Sequence, residues 1–407
     1  MRVLLVTDWL QESGGMERYF ETLRSGFRGA GHDVRLLTST AGTAAGGTAD
    51  HRALGSNSTA AQVALQLVNP FAFARIREVL REFRPELAVV GMIEQHLSPI
   101  ALFALDEVPT ILSVGDYKPI CPIHSKLLPS EEICEVPAGL VCWKNGCTGL
   151  GQWLRDRPRY SLLRSAFTRA DRVLTCSSWL QRALREEGLE TEALLLPAAQ
   201  VSPSYARTPG RRPAFVYIGR LSREKGVHTL IRAFARARGA MPDAQLRIVG
   251  DGEQRPQLER LATSLGLDRA VVFLGALSLP EVERELGSAW ASVAPSLWAE
   301  PLGLVAVEAV VRGVPVIASA RGGLAEVVEH GRSGLLFPNG DELALAGCLE
   351  QIGSGRAFGD GSLPAEVVES ARRRHDVARH VARLEQMHRE IRSRRTRGER
   401  RMSSGTL

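Results

Sequence analysis

Two carboxylates and two cations stand at spacings that could handle a phosphorylated, hydroxyl-rich ligand. In "SLWAEPLGLVAVEAVVRGVPVIAS", Glu300 and Glu308 lie eight residues apart in a run from Ser296 to Val311 that is otherwise uncharged. Burying an ionised carboxylate without partners costs several kcal/mol, so something polar must face both. In "YIGRLSREKG" a strand pattern ends in Gly219, and Arg220 and Lys225 follow just ahead of a helix. Two cations beside the open N–H groups of a helix N-terminus make a diphosphate seat that needs no metal. Glu300 falls in a loop after a strand, where it can accept hydrogen bonds from sugar hydroxyls. Glu308 sits in the helix that begins near Gly303 and can accept a vicinal diol such as a ribose. Each feature alone also has an ordinary reading, as a basic surface loop and as two structural ion pairs.

The elements that must position these residues alternate from end to end. Short β-branched or Leu-rich runs separated by longer helical patterns signify βαβ units and parallel sheets. Strands "RVLLVTD", "DVRLLTS", "LAVVG", "PTILSV", "RVLTCS" and "EALLLP" make one doubly wound series over residues 1–200. The stretch "AAQVSPSYARTPGRRP" reads as a linker, at 201–212. A second series, "AFVYIG", "AQLRIVG", "AVVFLG", "ASVAPS", "VPVIAS" and "GLLF", fills 213–372. Two such sheets predict a cleft, with ligands at the carboxyl ends of the strands. The small-residue segment "STAGTAAGGTADHRALGSNST" is expected to be a mobile loop. Val377, Val381, Leu384, Met387 and Ile391 form an apolar stripe, which predicts a helix over 373–393 packing on the body, and residues 394–407 are expected to be a disordered basic tail.

With 407 residues the chain is too long for one ordinary core and suits two domains. Its net charge of +6 is concentrated: residues 371 to 401 hold twelve Arg against four acids. That basic end could touch an anionic membrane surface or simply be solvated; it carries no aromatic residue for stacking on bases, and no nucleic-acid partner is expected. No apolar run reaches a membrane span, and a cytoplasmic chain is the expectation, with membrane association through that end as the lesser alternative. Four of six cysteines cluster in the segment 116–150, as Cys121, Cys134, Cys142 and Cys147. In a reducing compartment they offer either a structural zinc site or an ordered loop with reduced thiols. Cys176 and Cys348 read as small core residues.

Several chemistries are absent by inspection: there is no G-x-G-x-x-G after a strand, no Gly-Lys pair of a phosphate loop, no G-x-S-x-G and no H-E-x-x-H. No D-x-D occurs either, which argues against a metal clamped between two close aspartates on a sugar diphosphate. The combination of "SGGMER" after the first strand, "GRLSREKG", "VGDGE" and "AEPLGLVAVEA" resembles the retaining nucleotide-sugar glycosyltransferases of family-4 type. Nearly the whole chain takes part in the resemblance, and the insert after "DYKPICP" resembles a branch of that family.

The resemblance implies the GT-B fold, α/β with two Rossmann-like doubly wound domains facing a cleft, and transfer of a sugar from a UDP- or GDP-linked donor to a hydroxyl of a glycan, glycolipid or small metabolite. It implies that no cofactor is required for catalysis. Gly14 and Gly15 would let the first loop approach the diphosphate, which Arg220 and Lys225 would neutralise. Glu300 would hold the donor sugar, the Gly303 and Leu304 amides would sit beside the phosphate, and Glu308 would bind the ribose. In relatives the last helix crosses back onto the first domain. The chain departs from the pattern in "SVGDYKP", where Gly115 replaces a histidine that lies against the donor sugar. Asp116 is the nearest side chain able to take over part of that role, with His96 and His124 as further candidates. The alternative expectation is a catalytically silent GT-B protein that binds nucleotide sugar or assists a partner.

Overall fold

The structure is a computed structural model and describes residues 1–8, 15–41, 49–91, 93–198 and 201–398. It divides into two compact units: Met1–His124, Pro137–Ala199 and His375–Leu407 form the first, and Ser125–Val136 with Gln200–Arg374 the second.

The first unit holds a seven-stranded sheet of β1 (Arg2–Val6), β2 (Asp33–Ser39), β3 (His51–Ala53), β4 (Leu87–Val90), β5 (Thr110–Val114), β6 (Arg172–Thr175) and β7 (Glu192–Ala193). Its order is β3-β2-β1-β4-β5-β6-β7, with every pairing parallel. The second unit holds β8 (Ala214–Ile218), β9 (Gln245–Val249), β10 (Val271–Gly275), β11 (Ala291–Ala294), β12 (Val316–Ser319) and β13 (Gly334–Phe337). These run β10-β9-β8-β11-β12-β13, again all parallel. Central strands such as β4 and β11 are buried along their whole length, as parallel strands covered on both faces must be. In each sheet the order reverses once, between β1 and β4 and between β8 and β11. That reversal leaves a crevice beyond the strand ends.

Helix Val227–Ala237 shows how the second sheet is covered. It buries Val227, Leu230, Ile231, Phe234 and Ala237, a helical repeat, in a core with Phe215, Ile248 and Leu349. In the first unit, helix Val377–Thr396 buries Val381, Leu384, Met387 and Ile391 and packs on helix Gly15–Gly29. Its polar ties are specific: Arg395 to Asp171 at 2.6 Å and Arg172 to Glu390 at 3.0 Å. His380 Nδ1 lies 3.1 Å from the Leu195 carbonyl, which only accepts, so Nδ1 carries the proton and Nε2 accepts from the Tyr19 hydroxyl at 3.0 Å.

The structure corrects several sequence expectations. The supposed loop 39–59 contains β3, which extends the sheet beside β2; its centre, 42–48, lies outside the described residues. The supposed linker 201–212 is fastened to the second unit: Tyr205 Oη donates to the Arg312 carbonyl and Arg207 to those of Leu286 and Gly287. The insert 116–150 does not belong wholly to the first domain, because Ser125–Val136 falls in the second unit. The last helix reaches Thr396, past the expected boundary at 393, because Arg395 is held by Asp171. Among the described residues no helix is long and apolar enough to cross a membrane.

Burial pushes the His380 pKa from 6.5 down to about 4. The folded state therefore disfavours the proton, and its contribution to stability is present above pH 6.5 and lost as pH falls toward 4. Against His380→Gln, which keeps one donor and one acceptor, the wild type is expected to lose up to about 3 kcal/mol over that window. Urea unfolding of both proteins at several pH values measures the difference.

Candidate active site

Two loops at the reversal point of the second sheet carry the predicted residues. After β8 the chain passes Gly219 and Arg220, makes a single tight turn at Arg223–Lys225, and enters helix Val227–Ala237. After β11 it runs from Pro295 to Gly303 and enters helix Leu304–Val310. The Glu224 carbonyl accepts from the Leu297 amide at 2.9 Å, stitching one loop to the other. Gly303 has φ of +81°, and a Cβ there would stand 2.3 Å from Leu324, so the turn into the second helix requires glycine twice over.

Lys225 and Glu300 meet directly. The ammonium is 2.8 Å from Glu300 Oε1, and the Ser296 hydroxyl donates to the same oxygen. Lys225 also lies 5.2 Å over the Trp298 ring. Ser296 is in turn fixed, its carbonyl accepting from Ser319 Oγ at 2.6 Å. Arg220 is more exposed and reaches Glu224 at 3.1 Å; Glu224 also accepts from Ser222. Burial pushes the Glu224 pKa up, but the Ser222 hydrogen bond and the neighbouring cations outweigh it and leave it lowered. Glu308 is buried on its helix, and Arg312, one turn on, donates to its carbonyl while pairing with Glu283 at 2.7 Å.

At the reversal point of the first sheet, Asp8 follows β1 and accepts from the amides of Gln95, His96 and Leu97 at 2.6–3.0 Å. Burial raises its pKa despite those donors. Glu94, also buried, is pushed up to about 7 by desolvation, which Lys118 only partly offsets. Burial pulls Lys118 down, yet Asp116, Glu94 and Asp8 together hold it above its usual value. Asp116 is tied to Lys118 through the backbone amide at 2.9 Å and the ammonium at 3.7 Å. His96 is buried at the same loop, and burial lowers its pKa. Gly15 opens helix Gly15–Gly29; Gly14 lies outside the described residues.

Comparison with known proteins bears on the fold and on its relatives. Residues 14–199 match the family described as "Glycosyl transferase 4-like domain" and residues 204–374 the one described as "Glycosyl transferases group 1". The structure resembles sucrose-phosphate synthase from Thermosynechococcus elongatus, with a TM-score of 0.72 and 22% identity over 96% of this chain and 99% of that one. It also resembles Anabaena HepE solved with UDP-glucose, with a TM-score of 0.67 and 21% identity over 97% and 100%. The chain has the GT-B fold of the glycosyltransferases. A glycogen synthase of Mycobacterium tuberculosis is 35% identical over 189 residues, 45% of each chain. A D-inositol 3-phosphate glycosyltransferase of Corynebacterium urealyticum is 40% identical over 146 residues, 33% of this GT-B chain and 34% of that one. The matches thus span under half the length of these curated relatives.

Among the described residues of this GT-B protein no three His, Cys, Asp or Glu side chains converge as metal ligands. Cys134 lies on the Ser125–Val136 segment of the second unit, whereas Cys121, Cys142 and Cys147 belong to the first. His124 adopts φ of +56° at the start of that segment. The segment closes with a bridge between Leu127 and Ile133 and places Glu131 at 2.7 Å from Arg223, between the two predicted cations. Sequence reading missed Asp8, Glu94, Lys118, Ser296 and Glu224. The signal that found Glu300, a polar residue just past an apolar strand, was equally present in "LLVTD" and "AVVGMIE".

Gly115 does not have a positive φ. What it lacks is room: a Cβ would stand 2.2 Å from the Met16 sulfur and 2.7 Å from its Cγ. Gly115→His is therefore expected to cost about 1–3 kcal/mol by overpacking, with part of the loss recovered in Met16→Ala/Gly115→His. Thermal unfolding of the three proteins checks this. For the ion pair, Lys225→Met and Glu300→Gln are each expected to destabilise, with the double variant milder than their sum by about 1–3 kcal/mol.

Proposed function

We propose that this chain transfers a glycosyl group from a nucleoside diphosphate donor, UDP- or GDP-linked, to an acceptor hydroxyl, with retained configuration and without a catalytic metal. The observation that carries the reading is Lys225 held against Glu300, with Arg220 on the same loop, at the reversal point of the second sheet. Arg220 and Lys225 take the diphosphate, together with the Gly303 and Leu304 amides at the start of their helix. Glu300 accepts from the sugar hydroxyls and Glu308 from the ribose.

In the step itself the bond from the anomeric carbon to the diphosphate oxygen breaks as the acceptor oxygen bonds to the same face. The acceptor proton passes to the departing phosphate oxygen, and Arg220 and Lys225 stabilise the charge that develops there. Asp116 anchors the acceptor-side loop through Lys118. The second reading is a silent binding protein, which the Met16 thioether filling the space above Gly115 favours.

Mass spectrometry across a donor and acceptor panel is expected to show turnover by the native chain; binding of nucleoside diphosphate without turnover favours the silent reading. Glu300→Ala should depress kcat by more than it weakens nucleotide binding, and Glu308→Ala should do the reverse. Calorimetric titration of UDP and GDP should give the same affinity with and without chelator, and strict dependence on Mg²⁺ or Mn²⁺ contradicts the proposal.

A further inference from the structure

The first unit exposes an apolar face that no part of the proposed chemistry uses. Leu140, Trp143, Leu150 and Leu154 are each between 41% and 55% exposed, on helices Leu140–Lys144 and Leu150–Phe167, which pack on one another. Single exposed leucines are ordinary; four large apolar side chains within fifteen residues, two of them one turn apart, are not. Exposed Val68 and Phe71 flank helix Thr59–Leu67, which packs on the same long helix, and residues 54–73 carry no charge at all.

Within residues 139–159 the exposed charges have one sign. Residues 139–159 contain Lys144, Arg155, Arg157 and Arg159 against one carboxylate, Asp156, which is buried beside Arg155 at 3.1 Å. Arg157 lies 5.1 Å over the Trp153 ring, and the Trp153 indole donates to the Gly139 carbonyl, tying the two helices together. An exposed Trp and leucines set among cations suit the boundary between headgroups and acyl chains of a bilayer. The basic C-terminal segment is less suited. Among its described residues Val381, Leu384, Met387 and Ile391 are buried in the first unit and Arg395 is bound to Asp171, so there it has charge but no large apolar side chain to insert.

We propose that Leu140, Trp143, Leu150 and Leu154, with Lys144, Arg155 and Arg157, dock this protein on an anionic lipid bilayer. Helix Leu150–Phe167 leads into β6, so its first turns lie at the carboxyl edge of the sheet, the edge that carries Asp8 and Asp116. A bilayer held there presents a lipid-linked hydroxyl to that edge; this last clause rests on the transferase reading, whereas the docking does not.

The test is co-flotation of the full chain with phosphatidylcholine vesicles and with mixed phosphatidylcholine–phosphatidylglycerol vesicles. The wild type is expected to bind the mixed vesicles and to release with salt. Trp143→Ser/Leu150→Ser/Leu154→Ser should bind at least about tenfold less, while its melting temperature holds because the three side chains are exposed. Lys144→Glu/Arg157→Glu should lose the preference for anionic vesicles. Deleting residues 399–407 should change nothing. No binding by the wild type overturns the proposal, as does loss on deleting 399–407 with the triple variant unaffected. A wild-type dimer in sedimentation velocity that the triple variant converts to monomer, with vesicle binding unchanged, assigns the face to a second copy and also overturns it.

Discussion

A lysine ammonium placed against a glutamate carboxylate, largely out of water, holds the second domain's site in shape. Lys225 belongs to the loop after β8 and Glu300 to the loop after β11, and these two strands flank the point where the sheet changes direction. Desolvating either charge alone is expensive, so each residue is kept in place by the cost of leaving the other unpaired. The Ser296 hydroxyl and the Trp298 ring complete the enclosure. In the proposed function, a phosphorylated ligand would meet a cation already oriented, and its hydroxyls a carboxylate already aimed. That is preorganisation in the sense that matters for stabilising developing charge.

The first domain solves the same topological problem differently. There the residue past the inner strand is Asp8, and its partners are three consecutive backbone amides rather than a side-chain cation. The result is a fixed loop beside a cluster of Glu94, Lys118 and Asp116 whose charges are mutually adjusted. Burial acts against the Glu94 charge, and Asp116 and Glu94 both act to keep the Lys118 ammonium charged. The two reversal points are thus fixed by different partners, a side-chain cation in the second domain and backbone amides in the first.

Much of this was legible in the chain. Runs such as "DVRLLTS" and "GLLF" are strands in full, their apolar residues mostly buried as strands covered on both faces require. What escaped is instructive. β3 is three residues long in a segment of small residues, too short for periodicity to register, and only the edge of β2 makes it a strand. The pairing of Lys225 with Glu300 joins residues seventy-five apart, and no local pattern encodes it. For the four cysteines the sequence left two readings open, and it did not show that Cys134 lies on a segment of the second unit while Cys121, Cys142 and Cys147 belong to the first. Gly115 was read as a missing side chain, when its space is already taken by Met16.

The helix Val377–Thr396 is made last among the described elements yet belongs to the domain made first. At about 5–20 residues per second of synthesis, the sheet of that domain waits on the order of ten seconds or more for its covering helix. During that interval the helix Gly15–Gly29, with Tyr19 and the surface around Gly26 that Val377 later fills, stands open. The second domain, whose outlying segment Ser125–Val136 is made before the rest of it, can close around its own core meanwhile. A nascent chain therefore completes its later half before its earlier one, and the ribosome-bound intermediate exposes one unfinished seam whose natural cover is a stretch of its own sequence still to come.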